Sequence, residues 1–376
     1  WVGTPAGVAR YSEGASPEWA TFTAADGLAD AGVVSITEDE NGSMWFGHSH
    51  GSGGGGATYF PSQGAPIQLK PSPNGLASAI VNSIALNDSG TVWFGTPVGI
   101  SQYVAGGDDE WTTLETNSLS DSRVKALALD HQGDLWVGTQ IGLDRYDSAA
   151  RRWDNFDIAA LFGGSGLVQT LAVATDGSVW FGGAKLGRFI PGDPPTWEVF
   201  DLEDGLVSYW VWDIAPHPDG SIWIGTIGGV NHITPGDPPV WETYTTTHGL
   251  PSDVVGSIGF GADGSIWFGT NPLSRYFPIS NTWQIPSLVP YAFVPIPDAY
   301  DIARAPDDSM WFSSGWYTYH YYPASNTWES FYNQWTLVGG SPSDLYVDDK
   351  NTLCCVVNAG GVCRYDHDAV PKGEQS

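Results

Sequence analysis

One pattern recurs down the whole chain and limits its folding more than any other feature. It runs as an apolar strand, an acidic turn with Gly, a Trp-centred strand, Gly, and a strand ending in an aromatic. Its clearest copies read SIALNDSGTVWFGTPVGISQY, ALALDHQGDLWVGTQIGLDRY and SIGFGADGSIWFGTNPLSRY. The anchoring tryptophans are Trp1, Trp45, Trp93, Trp136, Trp180, Trp223, Trp267 and Trp311, spaced by 44, 48, 43, 44, 43, 44 and 44 residues. A ninth copy, TLCCVVNAGGVCRYD, carries Cys354 where Trp would stand. A period near 44 made of short strands and tight turns predicts blades of an all-β propeller.

Each unit reads as four strands. Strand A is centred on Ile36, Ile84, Leu127, Leu171, Ile214, Ile258, Ile302 or Leu345. An Asp-Gly turn follows, as at Asp176-Gly177 and Asp219-Gly220, where a tight hairpin asks for positive φ. Strand B carries the anchor, and strand C ends in an aromatic such as Tyr103, Tyr146 or Tyr276. Strand D carries a second Trp: Trp19, Trp111, Trp153, Trp197, Trp241, Trp283 or Trp328, with Ile67 there in the Trp45 unit. No helix is needed. One blade cannot bury both its faces, so the blades must stack and behave as one domain over residues 1–376.

The A and D strands each occur eight times, which predicts eight blades. Ring closure is then expected from the strand around Trp19 joining the C-terminal copy (residues 343–366), with Trp1 to Tyr11 outside the count. Nine blades, or a cut from a longer array, is the alternative. The chain opens inside a motif, as expected of a trimmed leader or a longer parent.

Fifteen of the 19 tryptophans fall on strand B or strand D positions and read as packing. Burying each removes roughly 200 Å² from water, about 5 kcal/mol gross. Trp210, Trp212, Trp316 and Trp335 lie outside those positions.

Composition excludes several classes. An apolar share of 41% rules out a disordered chain. No apolar run approaches the roughly 18 residues of a membrane span. A net charge of −28 argues against nucleic acid as a partner. Three clustered cysteines, Cys354, Cys355 and Cys363, fit neither a disulfide framework nor a zinc signature. Cys354 reads as packing in the anchor register, and a cross-strand bond from Cys354 or Cys355 to Cys363 is left open.

The run D-G-L, V-x-S-I and D-x-x-G-x-x-W-F-G-T-x-x-G resembles the two-component regulator propeller repeat. Good copies run from Asp204-Gly205-Leu206 to Trp223-Ile224-Gly225-Thr226, and from His248-Gly249-Leu250 to Trp267-Phe268-Gly269-Thr270. The resemblance implies an extracellular, cell-surface or periplasmic propeller, often the glycan-detecting part of a hybrid histidine kinase. This chain shows no kinase or membrane helix of its own, so ligand binding or assembly is the function it supports.

Alternating strand direction puts the D-to-A and B-to-C loops on one face. Those loops vary, whereas the A-to-B turns are alike, and recognition usually sits on variable loops of a rigid scaffold. Two residues before each strand A centre lies a position near the expected channel mouth. It is occupied by Val34, Asn82, Lys125, Gln169, Trp212, Gly256, Tyr300 and Ser343. Arg123 and Trp210 lie two residues further back. Together with Trp316 these nominate Asn82, Arg123, Lys125, Gln169, Trp210, Trp212, Tyr300 and Trp316 as a site for a glycan or small polar ligand. Rings stack on sugar faces, and planar donors bind hydroxyls.

Competing chemistry is weaker. His48 and His50 share one side of a strand and are a weak metal pair without a third ligand. Asp39-Glu40-Asn41-Gly42 is too short for a calcium loop. Streptogramin lyases resemble the D-G-x-x-W-F turn, but here Gly-Thr follows. No nucleophile elbow or zinc-protease motif occurs, so neither an enzyme nor a cofactor is expected. The remaining alternative is a structural protein that packs against other subunits or itself.

Overall fold

The computed structural model describes residues 118–286 apart from 237, and residues 301–332 apart from 306, 315 and 316. On either side it describes 2–4, 7–12, 18–22, 29, 33–38, 43–48, 56–61, 67–69, 76–78, 80–87, 91–104, 111–114, 342–347, 352–357 and 361–366. The chain is all-β, and its described residues form seven antiparallel sheets of four strands and two of three. Each four-stranded sheet pairs A to B to C to D, as the repeat predicts. The A-to-B turns take the expected conformation, with Gly133, Gly177, Gly220 and Gly264 at φ between 77° and 91°.

Two compact units are present: residues 72–299, and residues 1–71 with 300–376. In the first, five blades anchored by Trp93, Trp136, Trp180, Trp223 and Trp267 follow one another, with their A strands side by side. The loop after strand D of the Trp136 blade folds into a short helix, Ile158–Phe162. Asp157 caps it by accepting the Ala160 N–H, and Gly163 ends it at φ 67°.

The second unit holds the Trp45 and Trp311 blades and the two three-stranded sheets. Strand A of the C-terminal copy, Pro342–Val347, lies against strand A of both complete blades. Its strands Thr352–Val357 and Gly361–Asp366 set Cys355 opposite Cys363 and Cys354 opposite Arg364. The N-terminal sheet is formed by Val2–Thr4, Gly7–Ser12 and Glu18–Phe22. Its last strand sets Trp19 opposite Tyr11, and its first two lie beside Gly361–Asp366.

Packing follows the repeat. Trp45, Trp93, Trp136, Trp180, Trp223, Trp267 and Trp311 are all buried. The strand C residue opposite the anchor covers the indole: Arg188 over Trp180 at 5.1 Å, Arg275 over Trp267 at 4.6 Å, His232 stacked on Trp223 at 4.1 Å. Acidic partners hold these covers, Asp176 for Arg188 and Glu242 for His232. Arg188 and Arg275, two of the 14 Lys and Arg residues, are thus committed to the scaffold.

The Gly-Thr after the anchor has a steric and a polar cause. A Cβ on Gly138 would meet Val168 Cγ1 of the next blade at 2.8 Å, and one on Gly182 would meet Val211 Cγ1 at 2.5 Å. The Thr hydroxyl then closes the B-to-C turn: Thr139 Oγ1 donates to Gly142 O, and Thr226 Oγ1 to Gly229 O.

Candidate functional site

The non-repeating register has a geometric identity. Strand A slips by one residue against strand B between Val33 and Ser35, Val124 and Ala126, Val168 and Thr170, Val211 and Asp213, and Pro342 and Asp344. The residue left unpaired is Val34, Lys125, Gln169, Trp212 or Ser343. A β-bulge frees a side chain from the ladder and re-aims it. In the first unit the residue just before this register is always a fully buried valine: Val81, Val124, Val168, Val211 and Val255. The repeated Val therefore packs, and the next residue is presented.

Three presented positions meet. Gln169, Trp212 and Gly256 line an open cavity of about 690 Å³ together with Trp210 and Ile227. Trp210 comes from a D-to-A loop and Ile227 from a B-to-C loop, so those loops do share a face. Trp210 and Trp212 are 46% and 47% exposed. No other tryptophan whose side chain is described is classed as exposed.

The other nominated residues are placed as follows. Gln169 Nε2 donates to Val211 O at 2.7 Å, and Asn82 Nδ2 donates to Val124 O at 2.8 Å. Each amide thereby staples its blade to the bulge of the next. Arg123 donates to Asp121 through Nε at 2.9 Å and Nη2 at 2.7 Å. That bond holds the Asp121 carboxyl below the usual carboxylate range. Lys125 is exposed on its bulge. Asn82, Arg123 and Lys125 do not line the cavity. Tyr300, Trp316 and His50 lie outside the described residues. His48 is buried with Nε2 2.8 Å from Thr58 Oγ1. Among the described residues no group of three or more His, Cys, Asp or Glu could hold a metal ion.

Ile227 was missed by the sequence reading. Its signal is an exposed apolar residue in the B-to-C turn, directly after Gly-Thr here and one residue later as Val98 and Ile141. The loops at the D-G-L position, Asn117-Ser118-Leu119 and Asp204-Gly205-Leu206, also have a role not read from sequence. Polar strand C residues anchor them: Asp144 takes the Ser120 N–H and hydroxyl, and Asn231 takes the Val207 N–H. Tyr209, beside the cavity residues in sequence, has Lys185 Nζ 6.0 Å from its ring centre.

Among known structures, the chain is similar to the extracellular domain of a hybrid two-component system of B. thetaiotaomicron. The identity is 18% and the TM-score 0.59, over 98% of this chain and 55% of that one. The chain thus spans about half the length of that ectodomain. Virginiamycin B lyase from Staphylococcus aureus is similar at 17% identity and TM-score 0.55, over 78% of this chain and 95% of the lyase. The WD40 β-propeller domain of Doa1 gives 10% identity and TM-score 0.54, over 90% and 94%. At these identities the likeness shows the fold, a β-propeller. No curated protein matches the chain in sequence. Among the described residues no helix is long and apolar enough to cross a membrane. The two-component regulator propeller profile matches at 27–50, 118–140 and 205–228, so the chain carries repeats of that family.

Proposed function

We propose that this is an extracytoplasmic recognition propeller of the sensory type, and that the Trp210–Trp212 cavity takes a glycan or a comparably small polar ligand. The observation that carries this reading is the pair of half-exposed indoles beside Gln169 in one cavity. A tryptophan left in water on a rigid sheet is a stacking platform. The cavity lining is uncharged, and Arg123 is already engaged by Asp121. Neutral sugars therefore fit better than uronic acids. A glycan array followed by calorimetry tests this. Trp212→Ala and Trp210→Ala should each abolish the signal with the melting temperature unchanged.

A second reading, packing against other subunits, is favoured by the exposed apolar tips Val98, Ile141 and Ile227 on the B-to-C turns. Sedimentation of the wild type and of Ile141→Asp separates it. Loss of an oligomer with glycan binding intact would support assembly. We also propose that residues 1–376 form one propeller of eight blades, closed by the strand around Trp19 joining the C-terminal copy (residues 343–366). Deleting residues 1–24 should then lower thermal stability far more than deleting residues 369–376.

A further inference from the structure

A second cleft lies between the Trp136 and Trp180 blades, among their C-to-D loops and the A-to-B turns that are alike in sequence. Its volume is about 350 Å³. Small-molecule pockets run from about 300 to 1,000 Å³, so this one suits a single-ring ligand. Phe156 and Phe189 contribute apolar surface, with ring centres 6.3 Å apart. Pro191 and Pro195 form a wall whose backbone is held by the two proline rings.

The charged groups of the cleft differ in availability. The Asp130 carboxylate already accepts three N–H groups, from Gln132, Asp134 and Trp136 Nε1. Arg145 is bound to Asp134 and lies over Trp136. Arg152 is different. Its side chain is 64% exposed, with Asp154 at 3.4 Å and Asp147 at 3.8 Å. Long, solvated ion pairs of this kind contribute little and exchange readily.

We propose that this cleft binds a free amino acid with an apolar side chain. Its carboxylate would accept from the Arg152 guanidinium, its ammonium would donate to Asp154, and its side chain would rest on Phe156 and Phe189. A plain anion would strip Asp154 of its partner and sit beside it in a chain of net charge −28. A plain cation would take Asp154 and leave Arg152 only its longer contact with Asp147. A zwitterion replaces the loose pair and leaves neither charge unmet.

Calorimetry of the full chain with L-phenylalanine, phenylacetate and phenethylamine tests this. L-Phenylalanine should bind, and each half-ligand should bind at least about tenfold more weakly. Arg152→Gln and Asp154→Asn should each weaken L-phenylalanine by about tenfold or more, the loss of one charged hydrogen-bonding partner. Arg152 is exposed and Asp154 half-buried, and their pair is long, so near-unchanged thermal melts should accompany the loss. Trp212→Ala should leave this binding intact whatever it does to glycan binding. Equal binding by either half-ligand, or no heat with L-phenylalanine at about 10 mM, would overturn the proposal.

Discussion

The Trp136 and Trp223 blades share one skeleton and present opposite chemistry. In both, a buried valine (Val124, Val211) precedes a bulge, and a strand C side chain covers the anchor. A Thr closes the B-to-C turn in each. Yet the presented residues are Arg123 and Lys125 in one blade and Trp210 and Trp212 in the other. The shared positions are set by sterics and by the need to satisfy buried polar groups. The presented ones meet neither demand and are free to differ, which is what a recognition surface requires.

The largest expected effect is at the glycine after the anchor, where the two blades differ in clearance. A Cβ on Gly138 would meet Val168 Cγ1 at 2.8 Å and Val168 O at 2.9 Å. On Gly225 the corresponding distances, to Val255, are 3.2 Å and 3.0 Å. Overpacking costs about 1–3 kcal/mol. Gly138→Ala should fall at the upper end because both of its contacts, one of them a backbone oxygen, lie under 3.0 Å, and Gly225→Ala at the lower end because both of its contacts are longer. Urea melts giving equal losses would show that the blades relax alike.

Next is the loop tether. Asp144 accepts from Ser120 N, Ser120 Oγ and Asn155 Nδ2. Asn231 does the same work without charge, accepting from Val207 N and donating to Gly205 O and Thr243 Oγ1. Removing either leaves buried donors unmet, so Asp144→Ala and Asn231→Ala should each cost about 1–3 kcal/mol.

The charged version adds a pH dependence that the neutral one lacks. Burial pushes the Asp144 carboxyl above its ordinary 3.8, outweighing the bonds from Asn155 and Ser120. A raised acid pKa means that the ionised form is penalised in the fold. That cost is present at neutral pH and is relieved as pH falls through the folded pKa. Asp219 behaves oppositely. Burial alone would raise it, but bonds from Ser221 and His217 lower it to about 2. Its contribution is present above about 3.8 and is lost as pH falls from there towards 2. Asp134, Asp176 and Asp263 are shifted in the same downward direction. Stability should therefore fall as pH drops below about 3.8 in any variant. Asp144→Asn should remove only the gain that the wild type shows on approach to that limit.

Much of this was legible from sequence. The Trp-centred strands, the Asp-Gly turns and the all-β class follow from a period that only a stacked repeat explains. Trp210 and Trp212 stood out because they break the packing register. The bulge was not legible, since it lies at the very start of strand A, where there is no alternation before it for the extra residue to interrupt. It becomes visible only when Val124, Val168 and Val211 are seen buried while their successors are not. Nor was the amide stapling by Asn82 and Gln169, because a partner one blade away is set by blade stacking. The Phe156–Phe189 cleft was missed for a related reason: the turns around it look uniform, and its walls come from two blades.

The smallest expected stability effect is the sharpest test of the comparison. If bulge residues are presented and do not pack, their chemistry can be exchanged between blades. Trp212→Lys and Lys125→Trp should each change stability by no more than about 0.5 kcal/mol, the range for surface sites. Trp212 does cover part of the cavity wall with its ring, so its replacement sets the stricter limit. In binding, Trp212→Lys should remove the sugar-stacking platform. Lys125→Trp should not restore it in the double variant, because Gln169, Trp210 and Ile227 converge on position 212 and not on 125. A loss of 2 kcal/mol or more in Trp212→Lys, about what truncating a buried side chain costs, would make that indole core and end its reading as a ligand platform.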